Sequence, residues 1–252
     1  MAEETNTAQG GTKAWWSRAI LIGAVVAAVL LPLGALGSRF GIWSFSGGFM
    51  LLAGGTVLAA IGLVAGIAGI VAANRRGLND DKPAVYLGTL ISLLIIGIMG
   101  LQFYTASSVP PIHNISTDLN DPPQFERVVL LRGEDSNPLD YDAEKLGPMQ
   151  LEAYPWVQPA ATDVGPDKAF DRALQVLKDM GLDIVSSDRE SGLIEATATT
   201  FWFGFKDDVA VRIRPANAGS VVDVRSVSRV GVSDLGANAR RIGEFLQLFA
   251  EG

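Results

Sequence analysis

The chain of 252 residues contains no cysteine and a single histidine, His113. Without thiols there are no disulfides, no thiolate nucleophile and no Cys-based metal centre, and an oxidising compartment is permitted without being required. Basic charge is also scarce, with 20 Lys and Arg against 27 Asp and Glu, a net charge of -7 and a pI near 4.8. A nucleic-acid binder needs at least a basic patch, so that class is excluded. Acids and bases are missing altogether from the interiors of three long apolar runs in the first part of the chain. Ion and proton pathways need such groups facing a bundle interior, which argues against a transporter.

Each apolar run has roughly the twenty residues that a helix needs to cross about 30 Å of hydrocarbon. The flanks place the spans at about 15–36, 48–73 and 84–104, with Trp15, Trp16, Trp43, Phe45, Tyr86, Phe103 and Tyr104 near the ends as an interfacial belt. A cleavable signal peptide is the rival reading of the first run, but that run is long for a signal core and two more spans follow. Lys13 and Arg18 precede or open the first span, and Arg75, Arg76 and Lys82 lie between the second and third. The other side carries only Arg39, and after the third span no Lys or Arg appears until Arg127. This bias predicts a cytoplasmic N-terminus and an extracytoplasmic C-terminal part, in a bacterial inner membrane the periplasm.

The second span carries a column of small residues, Gly55, Ala59, Gly62, Gly66, Gly69 and Ala73, spaced by four and three on one helical face. Such a face admits a close neighbour helix, either a partner or second copy, or spans one and three of the same chain.

The organisation read from these patterns is residues 1–104 as a cytoplasmic tail with three transmembrane helices, 105–125 as a proline-rich strap, and 126–252 as a globular head of about 150 residues with the strap, long enough for its own core. The strap contains Val109-Pro110-Pro111-Ile112-His113-Asn114-Ile115-Ser116-Thr117-Asp118 and Asp121-Pro122-Pro123, whose prolines predict a stiff extended segment. His113 near Ser116 and Asp118 raises a catalytic or metal hypothesis, because imidazole is the usual general base and a common metal ligand. One histidine without a second His, a Cys or a nucleophile elbow is as readily a hydrogen-bonded strap residue. Asn114-Ile115-Ser116 also fits a glycosylation sequon.

Residues 126–163 predict an irregular or edge-strand region. Beyond it, Pro166 suits a first helical position, Phe170, Ala173, Leu174 and Leu177 share a face, and Gly181 closes a helix of roughly four turns. Strands are predicted at about 182–187, 193–201, 208–214 and 221–229, followed by a helix at about 235–250 that buries Ile242, Phe245, Leu246 and Phe249. The predicted fold class is α+β, a three-helix membrane anchor followed by a two-layer head with a four-stranded antiparallel sheet and two helices.

Period-two alternation assigns the faces of that sheet. Val209, Val211, Ile213, Val222 and Val224 point one way, while Asp208, Arg212, Arg214, Asp223 and Arg225 point the other with Glu195, Thr197 and Thr199. The charged side could hold an anionic group on arginine forks, or cross-strand ion pairs could simply solubilise an exposed face. The run Phe201-Trp202-Phe203-Gly204-Phe205-Lys206-Asp207-Asp208 sits at the turn between the second and third strands. Partial burial is expected there, with Gly204 supporting the reversal and any exposed ring free to touch membrane or ligand.

Several of these segments together resemble a known family. The strap motif from Pro111 to Asp118, the Ala153-Tyr154-Pro155 step, the turn from Phe203 to Asp208 and above all the run from Asp223 to Ile242 are similar to the domain-of-unknown-function family 1499. Where that family often has Asp, this chain has Asn114, which weakens a His–Asp dyad in the strap. The resemblance implies a bacterial or plastid protein, in some members with spans like these, and brings no reaction with it. It also implies a set of site residues: His113, Asp118, Asp207 and Asp208 as candidates for catalysis, and Asp223, Arg225, Ser226, Ser228, Arg229, Asp234, Asn238 and Arg241 for binding. Asp234 is placed to cap the last helix, so a structural network accounts for several of them.

The expected function is a non-enzymatic, membrane-anchored head that binds or scaffolds a membrane or periplasmic partner, without cofactor or metal. The alternatives are an envelope hydrolase using His113 with Asp118 or with Asp207 and Asp208, and an accessory subunit of a membrane complex engaged through the small-residue face of the second span.

Overall fold

The computed structural model describes residues 14–252. The leader through Lys13, expected to be cytoplasmic, lies outside the described residues. The chain forms two compact units that divide between Tyr104 and Thr105.

The first unit is helical. Helices α1 (Trp15–Arg39), α2 (Phe45–Arg76) and α3 (Lys82–Ser107) have 25, 32 and 26 residues, each long and apolar enough to cross a bilayer. Ser44 opens α2 by accepting the Gly47 N–H at 3.3 Å, and Gly77 closes it in the left-handed conformation behind Arg75 and Arg76, two cations at the negative end of the helix dipole. Gly55, Ala59, Gly62, Gly66, Gly69 and Ala73 are all buried. Gly55 faces Leu31 and the Ala27 carbonyl on α1, whereas Gly62 and Gly66 face Ser92 and Thr89 on α3. A β-carbon on Gly66 would lie 2.1 Å from Thr89 Oγ1, so the absence of a side chain is what lets α3 approach. The small-residue column thus packs against α1 and α3 of the same chain. Asp81, 4% exposed in the α2–α3 loop, accepts the Ala14 N–H at 2.9 Å and the Ser17 hydroxyl at 2.6 Å, which pins the first turn of α1 to the start of α3.

The head is α+β, but its antiparallel sheet has six strands, not four. The two additional strands are β1 (Asn114–Ser116), inside the strap, and β2 (Ala160–Thr162). The alternating segments form β3 (Asp183–Asp188), β4 (Leu193–Thr199), β5 (Lys206–Ala216) and β6 (Gly219–Ser228). The order is β1-β6-β5-β4-β3, with β2 also paired to β6 beyond the end of β1. The region expected to be irregular or an edge strand also contains a 3-10 turn (Val128–Leu131) and a helix, α4 (Ala143–Ala153), started by Asp142 accepting the Lys145 N–H at 3.1 Å.

Helices α5 (Pro166–Asp179) and α6 (Ala237–Glu251) cover one sheet face. Phe170, Ala173, Leu177, Ile242, Phe245 and Phe249 meet Ile194, Val209, Val211, Ile213, Val222 and Val224 in a single buried cluster. Helix α4 guards the sheet's edge. Buried Gln150 accepts the Ser116 N–H at 3.0 Å and donates to the Ser116 carbonyl at 2.7 Å, standing in for the next strand along β1.

Candidate functional site

The charged face of the sheet is not exposed. Glu195, Asp208, Asp223 and Arg225 are each 0% accessible, because the rest of the strap, the 3-10 turn and the segment before α4 lie across them. The expectation of a solvated lattice of ion pairs is thereby corrected: these charges form the filling between the sheet and an outer layer of coil.

Four polar clusters make up that filling. Glu195 Oε1 accepts the N–H groups of Glu126 and Val128 at 2.8 and 3.2 Å, and Oε2 accepts Arg127 N–H and the Ser186 hydroxyl at 2.7 and 2.8 Å. A side-chain carboxylate thus occupies the anion nest formed at the start of the 3-10 turn. Asp208 receives Arg229, Arg132 and, at 2.9 Å, the Thr197 hydroxyl. Asp223 Oδ2 accepts from Arg212 and Arg214 at 3.1 and 2.8 Å, and the same arginines reach Asp118 and Asp121 on the strap. The side-chain burial of Arg229 and Asp208, 12% and 0% accessible, makes their interaction stronger than a surface pair.

Arg225 forms the fourth cluster, and among the described residues it makes no ion pair. Its guanidinium donates to Asn114 Oδ1 at 3.1 Å, to the Pro123 carbonyl at 3.1 Å and to the Leu139 carbonyl, and it stands 5.2 and 5.7 Å from the Phe125 and Tyr141 ring centroids. Carbonyl dipoles and ring faces replace a counter-ion here. Burial pushes the Arg225 guanidinium down to about 10, and burial pushes the Tyr141 phenol up to about 12 against the pull of the arginine charge. Asn114 is 2% exposed and donates to the Asp140 carbonyl as well, so the sequon is closed to glycosylation in the folded head.

A second network lies on the helix side, where β6 passes to α6. Arg241 pairs with Asp207 at 2.7 Å and donates to Ser226 Oγ and Asn238 Oδ1 at 3.0 and 2.6 Å. The Asn238 amide donates to Ser228 Oγ at 2.9 Å and to the His113 carbonyl at 3.0 Å, fastening strap, strand and helix together. Asp234 accepts the N–H groups of Gly236 and Asn238 at 2.7 and 2.9 Å, and burial raises its carboxyl above the usual range in spite of them.

The twelve site residues therefore do not converge on one point. Asp207, Ser226, Ser228, Asp234, Asn238 and Arg241 share the helix-side network, while Asp118, Asp208, Asp223, Arg225 and Arg229 divide among the coil-side clusters. His113 contributes its backbone to the first, and among the described residues its imidazole has no hydrogen-bond or ion-pair partner. Asp118, Asp207 and Asp208 all face arginines, so none is aligned as the partner of a general base. No group of three or more metal-ligating side chains is assembled among the described residues. The concavity beside this network is a shallow depression of about 290 Å³ lined by Met180, Leu182, Ala198, Thr199, Arg240 and Glu244.

The residues that sequence reasoning missed are Arg132, Gln150, Phe125 and Tyr141. Each lies in or just beyond segments without periodicity, and the only local signal was a lone aromatic, basic or amide side chain inside otherwise turn-like sequence.

Fold and network define a class: an α+β domain whose sheet is sealed on one face by helices and on the other by a strap riveted through buried arginines, carried behind three apolar helices. The model of the family described as Protein of unknown function (DUF1499) matches residues 114–249, and the chain belongs to that family. The matched region begins at β1 and ends in the last turn of α6, so it covers both networks. Comparison with curated proteins gives no match.

Proposed function

We propose that this chain is a multi-pass membrane protein that holds its head on the extracytoplasmic side of a bacterial inner membrane, where the head binds or scaffolds a membrane or periplasmic partner without catalysing a reaction. The observation that carries the reading is the state of the candidate catalytic groups. Asp118, Asp207 and Asp208 lie 3.2, 2.7 and 2.8 Å from Arg214, Arg241 and Arg229, so their oxygens are turned to guanidinium groups and not to the His113 imidazole. Sidedness is supported by Arg75, Arg76 and Lys82, gathered in the one loop that shares a side with the start of α1.

The test has two arms on the full-length protein. Protease added to intact spheroplasts is expected to clip the head, and survival of the head under conditions that degrade a periplasmic control would overturn the sidedness. Affinity capture from native membranes is expected to recover a partner with the His113→Ala variant as well as with the wild type. Turnover of an envelope substrate that His113→Ala abolishes would replace the scaffold reading with the hydrolase.

A further inference from the structure

We propose that the end of the head at which the chain arrives from α3 lies on the bilayer surface, with Leu130, Leu131, Phe201, Trp202 and Val232 seated among lipid headgroups. These five side chains are 78%, 56%, 69%, 55% and 77% accessible, more than any other large apolar residue described in the head, where Val129, Leu151, Trp156, Leu235 and Leu248 are exposed to a lesser degree. They come from three separate segments, and the hydrogen bonds bring the segments to one end of the sheet. The Arg229 N–H donates to the Lys206 carbonyl at 2.9 Å, next to the Phe201–Phe205 turn, and its guanidinium donates to the Leu131 carbonyl at 2.8 Å. Asn137 donates to the Gly231 carbonyl at 2.8 Å, which places Val232 beside them. The expected partial burial of the aromatic run holds for Phe203 and Phe205, which stack with ring centroids 5.1 Å apart, but Phe201 and Trp202 project outward.

The opposite end of the sheet has no large exposed apolar residue in its turns among the described residues. Its turns carry Arg189, Glu190 and Ser191 between β3 and β4, and Asn217 and Ala218 between β5 and β6. The five most exposed apolar residues described in the head therefore gather at one pole, and exposed patches of that kind mark interaction surfaces.

The chain itself says which surface that pole meets. The Pro110 carbonyl accepts the Ser233 hydroxyl at 3.5 Å and the Ile112 carbonyl accepts the Asp234 N–H at 3.3 Å, so the strap reaches the head at this same end. Helix α3 ends at Ser107, three residues before Pro110. Three helical residues from Tyr104 rise about 4.5 Å and three extended ones add at most about 11 Å. Pro110, which accepts from Ser233, is therefore joined to Tyr104 at the aromatic belt by at most about 15 Å of chain. Trp, Phe and Leu are the side chains that partition into this interfacial layer. Exposed Lys206 and Arg240 are offset by Glu134 and Asp135, so the contact is driven by apolar insertion and changes little with salt. The inference rests on the three helices spanning a bilayer and is independent of the side on which the head lies and of any protein partner.

The absence of cysteine makes the test direct. Single variants Leu130→Cys, Trp202→Cys and Val232→Cys of the full-length protein, reconstituted in phosphatidylcholine and phosphatidylglycerol vesicles, take a polarity-sensitive thiol dye, as do Glu190→Cys and Asn217→Cys at the other pole and Val64→Cys in α2. All these sites are exposed, and circular dichroism checks that each variant keeps the wild-type fold. Dyes at positions 130, 202 and 232 are expected to emit at shorter wavelength and to be quenched by nitroxide-labelled lipid, whereas those at 190 and 217 remain in water. Quenching at Val64 with none at 130, 202 or 232 overturns this inference alone, and no quenching at Val64 either overturns the membrane reading with it. Shielding in native membranes but not in pure lipid vesicles would assign the pole to a protein and equally overturn the proposal.

Discussion

The two faces of the head's sheet are both buried, and they are buried by opposite chemistry. Under α5 and α6 the filling is Val, Ile, Leu and Phe, where shape and area hold the layers together and direction matters little. Under the strap the filling is Glu195, Asp208, Asp223 and Arg225 with their partners, where each contact is directional and the partners in the outer layer lie far away in sequence. An apolar layer tolerates substitution by residues of similar volume, whereas an ionic layer fails when one member goes, because what remains is a buried group without its partner. The difference teaches that a periodic apolar segment can find its place by itself, but a strap without a hydrophobic stripe must be fastened at points.

The hardest blow to that comparison is Arg225→Ala. It leaves the Pro123 and Leu139 carbonyls and Asn114 Oδ1 buried without this donor, for a loss of about 3–5 kcal/mol in denaturant unfolding of the head. Arg225→Lys is expected to recover little, since a single ammonium cannot reach three directions as a planar fork does. If Arg225→Ala cost no more than an exposed substitution, the coil layer would not be held by its charges.

A smaller effect is expected at the edge. Gln150→Ala removes both bonds to Ser116 and should cost about 1–3 kcal/mol, with the strap cut faster by protease than the helices are. Gln150→Glu should be no better, because a carboxylate cannot donate to the Ser116 carbonyl. Equal protection of the strap in wild type and Gln150→Ala would remove α4 from the account.

The mildest test is alkaline titration. With its folded value raised to about 12 from 10.0, Tyr141 binds its proton more tightly in the folded head, so its contribution is fully present below pH 10 and is lost as pH rises toward 12. Arg225, lowered from 12.5 to about 10, has the opposite slope over the same range, stability rising as the buried cation is neutralised. Ultraviolet absorbance of the phenolates should show a late-ionising tyrosine that is missing in Tyr141→Phe, and stability in that variant should fall less steeply between pH 10 and 12. A wild-type titration without a late component would mean that the Tyr141 phenol is not buried beneath the coil layer.

Much of the fold was legible because it rests on period and length. Three uncharged runs gave the long helices, the Phe170, Ala173, Leu174 and Leu177 spacing gave α5, and strict alternation in β5 and β6 gave their two faces. Alternation says which side chains share a face and is silent on what covers it, so Asp208 and Arg225 read as surface groups. The strands β1 and β2 are three residues each, too short to carry a pattern, and α4 contains Gly147 and Pro148, which mask its helical signal. The division of the family-like residues into a helix-side network and separate coil-side clusters depends on contacts across about 100 positions, such as Arg225 with Pro123 and Asn238 with His113.

The hydrogen bonds from Ala14 and Ser17 to Asp81 join positions 67 and 64 apart, with nearly all of α1 and the whole of α2 between them. The latch cannot close while the ribosome is still making the second helix, and it becomes available only as the third begins. Assembly of the helical unit is therefore gated by chain order: a nascent product truncated before residue 81 would hold its first two helices without the acid that locks their entrance.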